Sequence, residues 1–255
     1  MSTHAQTENT LDAYLREGFS AMRGWLFMPA VEATLMVAEV QRQFMKPGPV
    51  CEIGVWEGRY LNLLSFLPAE PQPALGIDPF IHGGDRDAQL RRVRGNIARY
   101  ARQPELVTLL EEYSAQVTAK DVLARTGAPC QFVSVDGDHT MEGCLYDLRL
   151  AEAITARAGI VSVDDFPNLT CPGVAEATIR YLLDPLARLA PFLMVANKLF
   201  LAHREYVDPY RQAVVERCRA GHGGQWGKKV LDYSDQMNAM RIPVRLVGHD
   251  LLVQQ

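Results

Sequence analysis

The sequence predicts an α/β protein built on a doubly wound, mainly parallel sheet that ends in an antiparallel hairpin. Three observations carry that expectation. From Val50 onward, apolar runs of strand length alternate with helical stretches. The runs lack polar alternation, as strands covered on both faces do. After the fifth such unit the rhythm changes to two strand-length runs around a tight turn, the pattern of a hairpin closing a sheet.

Taken in order, residues 10–22 and 29–45 carry apolar positions at helical spacing, and Pro47-Gly48-Pro49 closes the second stretch. Strands are expected at 50–54 (VCEIG), 74–78 (ALGID), 106–110 (LVTLL), 131–136 (QFVSVD) and 159–164 (GIVSVD). Helices are expected near 58–67, 86–101, 114–125, 143–157 and 173–189. In PFLMVANKLFLA, Ala196-Asn197-Lys198 reads as the turn of the hairpin. Residues 206–220 read as helical, GHGGQWG breaks the chain, and the last segment is poorly patterned. The organisation expected is an N-terminal helical extension (1–47), a central ligand-binding domain (48–203) and a C-terminal helical or irregular extension (204–255).

Composition narrows the class. Among 255 residues, 48% are hydrophobic and 22% charged, which is enough apolar material for one large core. A formal net charge of -4 and the lack of a long Lys/Arg cluster argue against a nucleic-acid partner. The polar start MSTHAQTENT and the interrupted stretch LARLAPFLMVANKLFLA argue against a leader or a membrane span, so a cytoplasmic protein is expected. Five cysteines without a CxxC pair suggest buried or idle thiols rather than a disulfide framework or a zinc site.

In this fold, ligands sit at the carboxyl ends of the strands, and those ends carry the chemistry. Glu52-Ile53-Gly54-Val55-Trp56-Glu57-Gly58 forms the first strand-to-helix turn, spaced ExGxxxG. A dinucleotide site prefers GxGxxG, and Glu52 would repel a phosphate; an acid there suits a ligand with an ammonium group. Asp78 ends the second strand, where a carboxylate can accept both hydroxyls of a ribose. Ribose with a cationic tail and no phosphate describes S-adenosylmethionine. The fourth and fifth strand ends read VSVDGDHTMEG and GIVSVDDF. Asp136, Asp164 and Asp165 would repel one another unless neutralised, as oxygen ligands are by Mg²⁺. Asp138 is an alternative to Asp136. Asp164 and Asp165 can share a metal only if the chain leaves strand geometry there. His139, close to Asp136, has the titration range of a general base.

The runs VCEIGVWEGRYLNLL, GIDPF, VDGDHTMEGCLYDL and GIVSVDDFPNLTCPGVAEA together resemble class I S-adenosylmethionine-dependent methyltransferases, over roughly residues 48–203. Within that family they are similar to the metal-dependent macrolide and aminocoumarin sugar O-methyltransferases of the macrocin and mycinamicin type. The resemblance implies a Rossmann-like fold, a metal held by Asp136, Asp164 and Asp165, and His139 as base. It also implies methylation of a hydroxyl on a sugar, glycosylated natural product or saccharide.

Glu52, Gly54, Gly58, Asp78, Ser114 and Asp136 are the expected cofactor residues, and His139 and Asp136 the catalytic ones. Glu142 reads as a first-turn acid of the next helix, Trp56 and Tyr60 as core residues more than neighbours of the methionine tail, and His82-Gly83-Gly84-Asp85 as a flexible loop beside Asp78, either able to close over the ligand or a plain polar turn. Acceptor contacts are expected from the N-terminal helices, that loop and the C-terminal segment. A homo-oligomer is left open. So are an oxygenase-like relative using iron, an NAD-dependent oxidoreductase, and a non-catalytic binding or assembly protein.

Overall fold

The computed structural model describes residues 9–82 and 84–254. Residues 1–8, with most of the polar start, and Gly83 of the loop after Asp78 lie outside the described residues. A first helical segment runs through α1 (Leu11–Ala13), a π-helical turn (Tyr14–Gly18) and α2 (Phe19–Ala21), followed by α3 (Met28–Gln41). Then come β1 (Val50–Ile53), α4 (Arg59–Leu64), β2 (Ala74–Ile77), α5 (Arg86–Tyr100) and β3 (Val107–Leu110). These are followed by α6 (Ala119–Thr126), β4 (Cys130–Val135), α7 (Met141–Ile154), β5 (Thr155–Val163) and α8 (Pro172–Leu183). The chain ends with β6 (Leu189–Val195), β7 (Lys198–His203), α9 (Arg204–Arg219), α10 (Gly224–Ala239), and the short β8 (Arg245–Leu246), β9 (His249–Asp250) and β10 (Leu252–Val253).

The main sheet has the order β10-β6-β7-β5-β4-β1-β2-β3. β7 runs antiparallel to both its neighbours, β5 and β6, and the other pairs are parallel. Residues of β1, β2 and β4 are buried along their length, as the unbroken apolar runs require of strands covered on both faces. One face packs on α3, α4, α5, α9 and α10 through Val37, Leu61, Val93, Tyr210 and Trp226. The other packs on α6, α7 and α8 through Val122, Leu148 and Tyr181. No described helix is long and apolar enough to cross a membrane.

Four expected spans change. The helix expected to 189 stops at Leu183, because Asp184 precedes Pro185 and the residue before proline is pushed out of the helical region. The helix expected to 157 stops at Ile154, where Thr155 pairs with Cys130 and begins β5 early. The helix expected over 114–125 is a 3-10 turn, Ser114–Gln116, then α6, whose start is fixed by a capping box between Thr118 and Asp121. The poorly patterned C-terminal segment forms α10 and returns β10 to the sheet edge beside β6.

Two features of the topology build the site. Chain order reverses at β1, which lies between β2 and β4, so the ends of β1, β2, β4 and β5 share one rim. Because β7 runs antiparallel, its first residues meet the end of β5: Val163 pairs with Leu199, which sets Asp164 beside Lys198.

Candidate active site

A cavity of about 570 Å³ opens at that rim, within the range of small-molecule sites. Its walls include Glu52, Gly54 and Trp56 from the first strand and turn, Tyr60 from α4, Asp78 just after β2, and Ser114 after β3. Asp136, Asp138, His139, Asp164, Asp165 and Lys198 complete the acidic end. Arg23, Gly24, Trp25 and Leu26, between α2 and α3, form another wall, as does the stretch after Asp78. Among the described residues, none from 204–254 lines it, so the C-terminal segment does not make the contribution expected of it.

Glu52 is 1% exposed, and its Oε2 has no hydrogen-bond partner. Burial raises its carboxyl well above the usual range, Asp136 adds to the rise, and Lys198 works against it. Asp78, also buried, accepts the Val55 and Trp56 N–H groups on Oδ2 at 2.8 and 2.9 Å and the Phe80 N–H on Oδ1 at 2.6 Å. It therefore shapes the first turn as well as facing the cavity. Gly54 has φ +85, and a Cβ there would lie 1.8 Å from the Asp136 carbonyl oxygen. Approach of the neighbouring strand's backbone, more than approach of a ligand, makes this residue glycine. Gly58 is the left-handed residue that opens α4 (φ 83) and is not among the cavity walls; turn geometry is its role here. Ser114 opens the 3-10 turn and lines the cavity.

At the other end, His139 Nε2 lies 3.4 Å from Asp136 Oδ1 and 3.7 Å from Asp165 Oδ2, and its Nδ1 lies 3.3 Å from Cys171 Sγ. The bond to Asp136 raises the imidazole above its ordinary value, partial burial opposes the rise, and the surrounding aspartates add to it. Asp138 is turned aside: its Oδ1 accepts the Thr140 N–H at 2.9 Å, and its carboxylate fills the space above Gly143. Glu142 lies in the first turn of α7.

Asp165 has φ 56, so the chain does leave strand geometry after Asp164. The two carboxylates come together on the Asn197 side-chain amide, which donates to Asp164 Oδ1 at 2.7 Å and to Asp165 Oδ1 at 3.3 Å. Asp164 Oδ1 also accepts the Asp165 N–H at 3.0 Å, and its Oδ2 lies 2.8 Å from Lys198 Nζ. Asp165 Oδ1 accepts further from Asn168 at 2.9 Å. Burial and Asp136 push the Asp164 carboxyl up, while Lys198 pulls it down. For Lys198, burial favours the neutral amine, but Asp164, Tyr60 and Asp136 outweigh it and hold the ammonium above its ordinary value.

Lys198, Asn197, Cys171 and the stretch Arg23–Leu26 escape the sequence reading. Asn197 and Lys198 read there only as turn residues; a lysine heading the otherwise apolar KLFLA was the available signal. Four of the cysteines are buried as expected, but Cys171 is partly exposed beside His139. Tyr60 lies in the core as expected, 5% exposed, and also lines the cavity, as does the half-buried Trp56. The Tyr60 hydroxyl meets Thr34 Oγ1 at 2.8 Å, and its ring lies 4.1 Å from Lys198 Nζ.

Residues 51–166 match the family model described as a methyltransferase domain. No curated protein matches the sequence. Solved structures share the fold at low identity. The O-methyltransferase NovP is 19% identical with a TM-score of 0.54, over 69% of this chain and 80% of that one. CalS11, described as a TDP-rhamnose 3'-O-methyltransferase of calicheamicin biosynthesis, is 20% identical with a TM-score of 0.50, over 69% and 81%. The O-methyltransferase TomG from Streptomyces achromogenes, solved with S-adenosylmethionine, is 15% identical with a TM-score of 0.50, over 75% and 86%.

Proposed function

We propose that this chain is a class I S-adenosylmethionine-dependent methyltransferase that methylates a hydroxyl of a sugar or glycosylated small molecule, a reading supported by the methyltransferase-domain match over residues 51–166. The observation that carries the reading is one cavity with two unlike acidic ends: a buried Glu52 whose Oε2 has no hydrogen-bond partner, and a solvated Asp136–His139 pair. An unpaired buried carboxylate is costly and is relieved by a cationic ligand group. Glu52 thus fits the ammonium end of S-adenosylmethionine, and Asp78 fits its ribose. Bound S-adenosylmethionine supplies a methyl group on a sulfonium, open to in-line displacement.

The chain's own residues do the rest. His139 would take the hydroxyl proton as the acceptor oxygen is methylated, and the imidazolium so formed would be held beside the Asp136 and Asp165 carboxylates that face its Nε2. Trp25 and Tyr113, exposed at 80% and 51% in the cavity walls, offer flat apolar faces suited to the C–H faces of a sugar ring. CalS11, which shares the fold, is a TDP-rhamnose 3'-O-methyltransferase.

A magnesium ion would need free carboxylate oxygens. Both oxygens of Asp164 are engaged by Lys198, Asn197 and the Asp165 N–H, and Asp165 Oδ1 is engaged by Asn168 and Asn197. Donors already on Asp164 and on one oxygen of Asp165 support a reading without Mg²⁺, and no step is routed through a metal. An NAD-dependent reading is disfavoured because a pyrophosphate would face Glu52, Asp78 and Asp136. A second reading rests on the donor atoms of His139, Asp165 and Cys171, which lie within 4.8 Å of one another and could hold a transition metal in an oxygenase-like enzyme. Transfer of a labelled methyl group to a panel of glycosides tests the first reading; iron-dependent oxygen consumption without methyl transfer would establish the second.

A further inference from the structure

We propose that Lys198 is the resident cation of this site, neutralising Asp164 at the floor of the cavity, so that methyl transfer here runs without a divalent metal. The inference deepens the methyltransferase reading and rests on it for its catalytic consequence. The carboxyl groups of Glu52, Asp78, Asp136 and Asp164 converge on one cavity. Of the cations lining it, Arg59 is committed to the backbone carbonyls of Phe19 and Gly24, and Arg23 to Glu57. Lys198 alone of these faces the acid cluster: it is 1% exposed, with Asp164 Oδ2 at 2.8 Å on one side and the Tyr60 ring at 4.1 Å on the other.

Its place is set by the sheet, because Val163 pairs with Leu199 across the β5–β7 ladder. An ammonium so enclosed cannot swing into water to make room for a metal, and removing it alone would strand Asp164 as an uncompensated buried charge. Lys198 therefore acts as a positioning residue. It holds Asp164, and through the shared Asn197 amide also Asp165, beside the Asp136–His139 pair.

The test is Mn²⁺ binding by the full chain, read by the loss of the free-ion EPR signal and run beside calorimetry with S-adenosylmethionine. Wild type is expected to leave the signal unchanged at millimolar metal and to bind S-adenosylmethionine equally well with and without EDTA. Lys198→Met uncovers Asp164 and should tighten Mn²⁺ binding by about tenfold or more. Lys198→Arg, which keeps the charge, should stay silent, and Asp164→Asn added to Lys198→Met should abolish the gain. Wild-type Mn²⁺ binding at micromolar affinity that Asp164→Asn removes would overturn the proposal. If Lys198→Met fails to fold by circular dichroism, the wild-type and Asp164→Asn arms decide it. Absence of S-adenosylmethionine binding beside a silent Mn²⁺ signal would overturn the methyltransferase reading and leave the charge assignment standing.

Discussion

The floor and the rim of the cavity hold the same kinds of groups and behave oppositely. On the floor, Glu52, Asp164 and Lys198 are each at most 6% exposed, so each charge there depends on a partner. On the rim, Asp136, His139, Asp165 and Cys171 keep contact with solvent and with one another at 3.3 to 3.7 Å. Consecutive residues fall on either side of the divide: Asp164 closes the floor and Asp165, with its positive φ, turns up to the rim. The difference teaches that floor residues trade mainly in stability and ligand charge, whereas rim residues are free to move a proton.

Breaking the floor should have the largest effect. Asp164→Ala leaves a buried ammonium unpaired and is expected to cost about 3–5 kcal/mol, measured by urea unfolding; a loss within the scatter of surface substitutions would show that the ion pair does not hold the floor. His139→Ala should leave unfolding nearly unchanged and lower turnover by about 100-fold or more, a split that sets the rim apart. A parallel fall in stability and turnover would erase the distinction.

Glu52→Gln should fold normally and weaken S-adenosylmethionine by about tenfold, since a charge-assisted contact becomes a neutral one; unchanged calorimetry would remove Glu52 from the cofactor. The smallest effect sharpens the rim. Asp136 raises the pKa of His139, so the base form appears only as pH rises past a midpoint above about 6.5, and turnover should climb with it. Asp136→Asn removes the largest cause and should move that midpoint down; an unmoved profile would assign the proton to another group.

The sequence makes the rim and the sheet legible because both depend on local signals. VSVDGDHT and GIVSVDDF place Asp136, His139, Asp164 and Asp165 at two strand ends, and the switch point of a doubly wound sheet brings those ends together. The alternation from Val50 to His203 likewise specifies its own strands, down to the hairpin of β6 and β7. Lys198 is invisible by the same logic, because its partner is chosen by the antiparallel register of two strands more than thirty residues apart in the chain. Gly54 could be recognised as a special glycine, but the carbonyl that excludes a side chain there belongs to Asp136 on the adjacent strand. The C-terminal helix α10 carries a weak pattern, and its burial rests largely on Trp226, Gly227 and Val230.

Titration calorimetry of the purified chain with S-adenosylmethionine tests the central claim most directly. The account predicts one binding event per chain, in the micromolar range, weakened in Glu52→Gln and in Asp78→Asn and insensitive to EDTA. No heat at millimolar ligand, with the protein folded, would contradict it.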